Sequence, residues 1–162
     1  MLYKIQPVIR KDAEELATWA YPPPYEIYSL SEDVIPALQD PLWRYFSVKD
    51  EDNQIVGYCC FGQEARVMGG VYEGTEPTVL DIGVGMHPER VGKGEGRGFV
   101  DAVLQYAFQE FGVEKFRVTI AEFNQRSLKT FQALGFEESD RFIRPWDSLI
   151  FIQLERRAFI DV

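Results

Sequence analysis

VLDIGVGMHPERVGKGEGRGFVDAVL, residues 79–104, is the stretch whose reading decides the fold. It opens on a strand-like apolar run, Val79 to Met86, and closes on Phe99, Val100, Val103 and Leu104, continued by Ala107, Phe108 and Phe111. Recurrence at spacings of one, three and four predicts a helix with a broad apolar face suited to packing on a sheet. Between strand and helix lie four alternating glycines, Gly92, Gly94, Gly96 and Gly98. Glycine lacks Cβ, so consecutive main-chain N–H groups can turn inward around phosphate oxygens, and the helix N-terminus adds about half a positive charge. The pattern therefore predicts an anion site at the mouth of the helix. The competing reading is a glycine-rich helix start with no ligand, at an entropic cost for every glycine.

Two phosphate motifs are excluded. A P-loop needs Ser or Thr after its lysine, whereas Lys93 is followed by Gly94 and the spacing from Gly85 is wrong. A dinucleotide fingerprint needs Gly-x-Gly-x-x-Gly straight after the strand; here the glycines alternate strictly and are displaced by HPERV.

Working outward, YKIQPVIR reads as a short strand, after which Asp12 is expected to cap a helix carrying Leu16 and Trp19 on one face. YPPPYEIYS, residues 21–29, cannot continue that helix and is expected to be a stiff extended connector, followed by a second short helix within 31–39. The β-rich runs of WRYFSVKDEDNQIVGYCCF flank a polar cluster, the pattern of a hairpin. Residues 63–76 read as a loop. Gly112 ends the long helix, KFRVTIAEF is a strand, Asn124 or Ser127 begins a helix that Gly135 ends, and segments 136–143 and 146–155 are closing strands. No composition break or repeat divides the 162 residues, so a single domain over 1–162 is expected, an α/β sandwich with a mixed sheet.

Composition narrows the functions. Lys plus Arg number 17 against 26 Asp plus Glu, a net charge of -9, and no basic run offers phosphates a counterion-releasing surface, so no nucleic-acid partner is expected. An acidic surface suits a cationic substrate such as an amine, or serves solubility alone. No window approaches the ~20 apolar residues of a membrane span, and the N-terminus does not read as a leader, so a cytoplasmic protein with no membrane partner is expected. Cys59 and Cys60 are adjacent in a strand, point to opposite faces and read as core thiols. His87 is the only histidine and has no Cys beside it, so no metal is expected.

HPERVGKGEGRGFVDAVL followed by FRVTIAEFNQRSLKTFQALGFEE resembles the GNAT superfamily of N-acetyltransferases, strongly over about 77–140 and by element order elsewhere. The resemblance implies a mixed, mostly antiparallel sheet of about seven strands flanked by about four helices, splayed between the fourth and fifth strands. It implies acetyl-CoA as co-substrate, its diphosphate held by main-chain amides of Val91, Gly92, Lys93, Gly94, Glu95, Gly96 and Arg97, and its pantetheine arm paired with Val84, Gly85, Met86 and His87. An N–H near Met86 would meet the thioester oxygen, and Asn124 would bind the pantetheine chain, an ordered water or its own helix N-terminus. Position 91, Arg or Gln in the family, is Val here, with Arg90 one place earlier. The place of the family's Tyr acid is taken by Phe131.

From the residues themselves, Gly83 and Gly85 mark a bulge or a close backbone approach within a strand, or else only make room for packing against an aromatic ring. Acetyl transfer needs a neutral amine and a place for its proton. Asp81, on the strand entering the site, and Glu122, at the end of the adjacent one, are the candidate catalytic carboxylates; each also reads as an ordinary strand-end polar residue. His87 is a weaker candidate that also serves the turn before Pro88. Arg126 approaches the phosphates or lies on the surface. Tyr21, Tyr25 and Tyr28 would line an acceptor pocket for a cation, the overhang being implied by the resemblance, or else sit in the core or rim. The acceptor is expected to be a small-molecule or peptide amine. A coenzyme A-binding module without turnover is the alternative, and composition permits a homodimer.

Overall fold

The computed structural model describes residues 2–159. One seven-stranded sheet runs in the order β1-β2-β3-β4-β5-β7-β6, with β1 at Lys4–Pro7, β2 at Tyr45–Lys49, β3 at Ile55–Phe61, β4 at Val79–Met86, β5 at Lys115–Ala121, β6 at Glu137–Ile143 and β7 at Ile150–Arg157. Only β4 and β5 pair in parallel; every other neighbouring pair is antiparallel. Helix α3 (Gly96–Phe111) and α4 (Gln125–Ala133) cover one face, where Phe99, Val100, Val103 and Leu104 bury against Leu80, Ile82, Phe116 and Val118. Helix α1 (Arg10–Leu16) and α2 (Ile35–Gln39) cover the other face over the first three strands through Leu16, Trp19 and Leu38. Gly112, left-handed at φ 57°, closes α3 as its position predicts.

Strands β4 and β5 share only three register pairs, Val79 with Lys115, Leu80 with Phe116 and Asp81 with Arg117. Beyond them β4 stays paired with β3 through Met86, and β5 with β7 through Ala121, so the two strands diverge and leave facing edges open. The fork closes on a buried ion pair. Arg117 Nε and Nη2 donate to the two Asp81 oxygens at 2.7 and 2.9 Å, and both residues are 2% exposed. Arg66 Nε adds 2.9 Å to Asp81 Oδ2, and Arg117 Nη1 donates to the Glu73 carbonyl at 2.8 Å. Tyr72 stacks under both guanidinium groups, and its hydroxyl accepts from the Val67 N–H while bonding to Thr119 Oγ1. This cluster satisfies both charges, without which burial at this depth would be strongly unfavourable.

Several local expectations are corrected. Asp12 is not the cap of α1: the helix starts at Arg10 behind Ile9, and Asp12 is buried in its first turn. Its carboxylate takes Lys49 Nζ at 3.1 Å and the Ser47 hydroxyl at 3.0 Å, fastening α1 to β2. The 21–29 connector is not extended throughout, because Tyr25–Tyr28 coils into a 3₁₀ turn that begins with the Tyr25 N–H on the Pro22 carbonyl. Proline excludes an α-helix there but permits this tighter turn. The last strand begins at Ile150 rather than 146, with 144–149 forming the turn before it. The glycines of β4 make no bulge: the β3–β4 register runs without a shift. They permit close approach instead, since a Cβ on Gly85 would stand 2.2 Å from the Tyr58 ring and one on Gly83 would stand 2.8 Å from Cys60 Sγ. Cys59 and Cys60 are both buried, and burial pushes the Cys60 thiol up to about 12, so both are inert core thiols.

Asp81→Asn removes the one carboxylate shared by two guanidinium groups. It is expected to destabilise the fold by roughly 3–5 kcal/mol. The midpoint of thermal unfolding should then fall by about 10 °C, and calorimetry showing a midpoint within a degree or two of the parent would contradict the role assigned to this cluster.

Candidate functional site

A cleft of about 820 Å³ follows the fork, within the range of pockets that bury most of a small ligand. Its walls come from the connector (Tyr21, Pro22, Tyr25, Tyr28), from Tyr58 on β3, from Val84, Gly85 and Met86 on β4, from Pro88 and the glycine loop, and from one face of α4.

At its loop end, Gly92 and Gly94 adopt φ of 78° and 81°, a conformation that side chains disfavour. Nothing lies within 4 Å of where a Gly94 Cβ would be, so that glycine answers to the backbone turn and not to crowding. Gly96 and Gly98 fall inside the first turn of α3, whose preceding residue, Glu95, makes no side-chain cap. The first intrahelical bond is the Phe99 N–H on the Glu95 carbonyl. Among the described residues, the N–H groups from Val91 to Gly98 have no protein acceptor. A run of unpaired donors on the wall of a cleft, at the positive end of a helix, is an arrangement that takes an anion.

At the fork end, strand alternation fixes which main-chain groups are free. The His87 N–H bonds to the Val56 carbonyl, so His87, Gly85 and Gly83 exchange bonds with β3, and Met86 and Val84 turn theirs toward the gap. Tyr21 hydroxyl donates to the Met86 carbonyl at 2.6 Å, leaving the Met86 N–H and both polar groups of Val84 facing the opening. On the other side the Glu122 N–H bonds to the Ile150 carbonyl, so by the same alternation Ala121 turns its main chain into the gap. Asn124 Oδ1 accepts from the Ser127 N–H and caps α4, while its Nδ2 donates to the Tyr28 hydroxyl at 3.4 Å. Burial raises the Tyr28 and Tyr21 phenols, so both stay protonated at neutral pH.

The cleft gathers Tyr21, Tyr25, Tyr28, Val84, Gly85, Met86, Val91, Gly92, Gly94, Gly96, Arg97 and Asn124. It does not gather the others. Asp81 is held by Arg117 and Arg66 at the base of the fork and does not line the cleft. Glu122 belongs to a separate depression beside α4, paired with Arg141 at 2.7 Å. His87 packs at a tilt against Trp19 with centroids 4.7 Å apart, and its Nδ1 accepts the Glu89 N–H, which assigns it to the turn. Lys93 and the Glu95 side chain are not on the wall, Glu95 being paired with Arg90.

Arg126 is exposed and also lies on the cleft wall, its guanidinium 5.7 Å above the Tyr25 ring and beside Gly92. Wall residues that the sequence did not mark for the site include Tyr58, Phe99, Ser127 and Thr130. The α4 set was readable from its spacing, since 124, 127 and 131 share a helical face. Tyr58 was not, because its place opposite Gly85 follows from strand register.

The model of the acetyltransferase (GNAT) family matches residues 10–136. The chain belongs to the GNAT family of acetyltransferases. Solved GNAT structures share its fold at low identity. A GNAT acetyltransferase from Bacillus anthracis aligns with TM-score 0.75 and 17% identity over 96% of this chain and 95% of that one. The aminoglycoside acetyltransferase AAC(6')-Ib in complex with coenzyme A gives 0.73 and 16% over 96% and 95%. Mutant forms of the spermidine/spermine N-acetyltransferase SpeG from Vibrio cholerae give 0.69 and 15% over 97% and 95%. The seven-stranded sheet and its single parallel pair are the GNAT arrangement. Among the described residues, no helix is long and apolar enough to cross a membrane, and no three His, Cys, Asp or Glu side chains gather into a metal-binding group.

Gly85→Ala places a methyl group in the Tyr58 ring and forces that ring to move within the cleft. Overpacking of this kind costs about 1–3 kcal/mol. Urea unfolding should show a loss in the upper part of that range, about 2–3 kcal/mol, whereas Gly94→Ala, with open space around it, should lose only about 1 kcal/mol from its left-handed backbone. Equal losses at the two positions would refute the close-approach explanation for Gly85.

Proposed function

We propose that this GNAT protein transfers an acetyl group from acetyl-CoA to an amine by direct transfer in a ternary complex. The observation that carries the proposal is the run of N–H groups from Val91 to Gly98 without protein acceptors, on the wall of a cleft that continues to the β4–β5 fork. Amides in that run would hold the diphosphate, aided by Arg97 and Arg126 on the same wall. Val84 and Met86 would pair with the pantetheine arm as a missing strand would, and the Met86 N–H would stand where negative charge grows on the thioester oxygen. Acetyl-CoA supplies an acyl group activated as a thioester; the remaining chemistry falls to the chain.

Two proton questions follow. The acceptor ammonium must lose a proton before it attacks, and neither Asp81 nor Glu122 stands on the cleft wall. We assign that proton to solvent in the open cleft, and give Asp81 a structural role. The departing sulfur needs a donor, which Phe131 cannot be; it is buried edge-on against Phe136. The Tyr28 phenol, beside Asn124 and on the same cleft, is assigned to hydrogen-bond the sulfur as charge develops. Burial keeps it protonated, so it has a proton to share with the sulfur and does not act as a base.

The acceptor end carries Tyr21, Tyr25, Tyr28 and Tyr58, and among the described residues no Asp or Glu lies on the wall. A polycationic acceptor would find no carboxylate to neutralise it, so a small-molecule or peptide amine bearing one charge fits better. The second reading, a coenzyme A-binding module without turnover, is favoured by one observation, the phenylalanine at position 131.

Thiol release from acetyl-CoA across a panel of monoamines, polyamines and peptide N-termini tests the proposal. Acceptor-dependent release, strongest with monoamines, is expected; coenzyme A binding with no release under any acceptor would establish the module instead. Tyr28→Phe should lower kcat roughly 10- to 100-fold with little change in KM for acetyl-CoA. Gly94→Asp, which adds a negative charge to the loop, should weaken coenzyme A binding at least tenfold by isothermal titration, and unchanged affinity would remove the loop from the site.

A further inference from the structure

Arg90 stands where the loop leaves the sheet, and it does not face the cleft. Its Nη1 donates to Asp50 Oδ2 at 2.8 Å, in the turn of the β2–β3 hairpin. Its Nη2 donates to Glu95 Oε1 at 2.8 Å, with Nε 3.4 Å from Oε2. All three side chains are partly buried, and Asp50 is further fixed by the N–H groups of Asp52 and Gln54. These contacts hold the Asp50 carboxyl below the usual carboxylate range and raise Arg90. The guanidinium thus bridges a rigid hairpin turn and the residue that immediately precedes α3.

The position of Glu95 gives the bridge its meaning. A carboxylate beside the first turn of a helix is drawn toward the unpaired N–H groups, where the helix dipole is positive. Here it would occupy the donors that the diphosphate needs and set a negative charge beside two phosphates. Instead Glu95 makes no cap, and the amides of Gly96, Arg97 and Gly98 stay free.

We propose that Arg90 is a positioning residue that draws the Glu95 carboxylate off the N-terminus of α3 and anchors it to Asp50, keeping the loop amides open for the coenzyme A diphosphate. The inference rests on the reading of this loop as the diphosphate site. It also gives the Arg90–Val91 pair a purpose: the arginine one place early acts on the loop from behind, without touching the ligand.

The test is a double-substitution cycle on the full chain, read by isothermal titration with coenzyme A and, in parallel, with pantetheine, which lacks the diphosphate. Arg90→Gln should weaken coenzyme A binding about tenfold, the scale of one unneutralised carboxylate near the phosphates, and leave pantetheine binding unchanged. Glu95→Gln alone should bind coenzyme A as well as the parent or better. The pair R90Q/E95Q should recover most of the lost affinity, because the carboxylate that Arg90 restrains is gone. Thermal unfolding of each variant identifies any that is misfolded, and Arg90→Lys, which keeps the charge, then stands in with a smaller loss. Coenzyme A affinity unchanged in a folded R90Q, or a double variant as weak as R90Q, overturns the proposal. Failure of the parent protein to bind coenzyme A would instead overturn the reading of the loop.

Discussion

The Asp81–Arg117 ion pair is the constraint on which the architecture of the site depends. It is the last register pair between β4 and β5, and past it the two strands have different partners. Bidentate geometry, a second guanidinium from Arg66 and the Tyr72 ring packed against both cations fix the fork at one place. A fork so fixed leaves two open strand edges a set distance apart, and open edges in a folded protein ordinarily require covering. In this protein the opening continues into the cleft, whose far end is a helix N-terminus with free donors. Under the proposed function, an extended thioester that carries a diphosphate along its chain would occupy both features at once.

Much of this was legible in residues 79–104. Alternating glycines signal free main-chain donors, because no other residue allows the turn and the access together. Apolar spacing in 99–111 set the helix that follows, and Asn124 with Gly135 bounded the next one. The displaced arginine at position 90 and the phenylalanine at 131 were visible as departures, and the structure gives each a setting. One points back into a hairpin turn, and the other is buried at the end of the cleft.

The parts that were not legible depend on partners distant in sequence. Asp81 shares a face with Gly83 and Gly85, as strand parity requires, yet its chemistry is decided by Arg117 and Arg66, which only the strand register brings near. A charged residue inside the apolar run KFRVTI was the available signal for that pairing. Asp12 was misplaced for the same reason, since Lys49 and Ser47 reach it from a different strand. Glu122 lies one residue past the end of β5, and there the chain turns its side chain toward Arg141 rather than the fork. The triple proline excluded an α-helix without specifying the 3₁₀ turn that sets Tyr25 and Tyr28 over the cleft.

Hydrogen–deuterium exchange, followed amide by amide with and without coenzyme A, measures the central claim directly. Without ligand the N–H groups of Val91 to Gly98 have no acceptor and should exchange rapidly; with coenzyme A they should become protected, together with those of Val84 and Met86. Exchange in 91–98 that stays fast in the saturated complex, with protection appearing on another surface, would contradict the account.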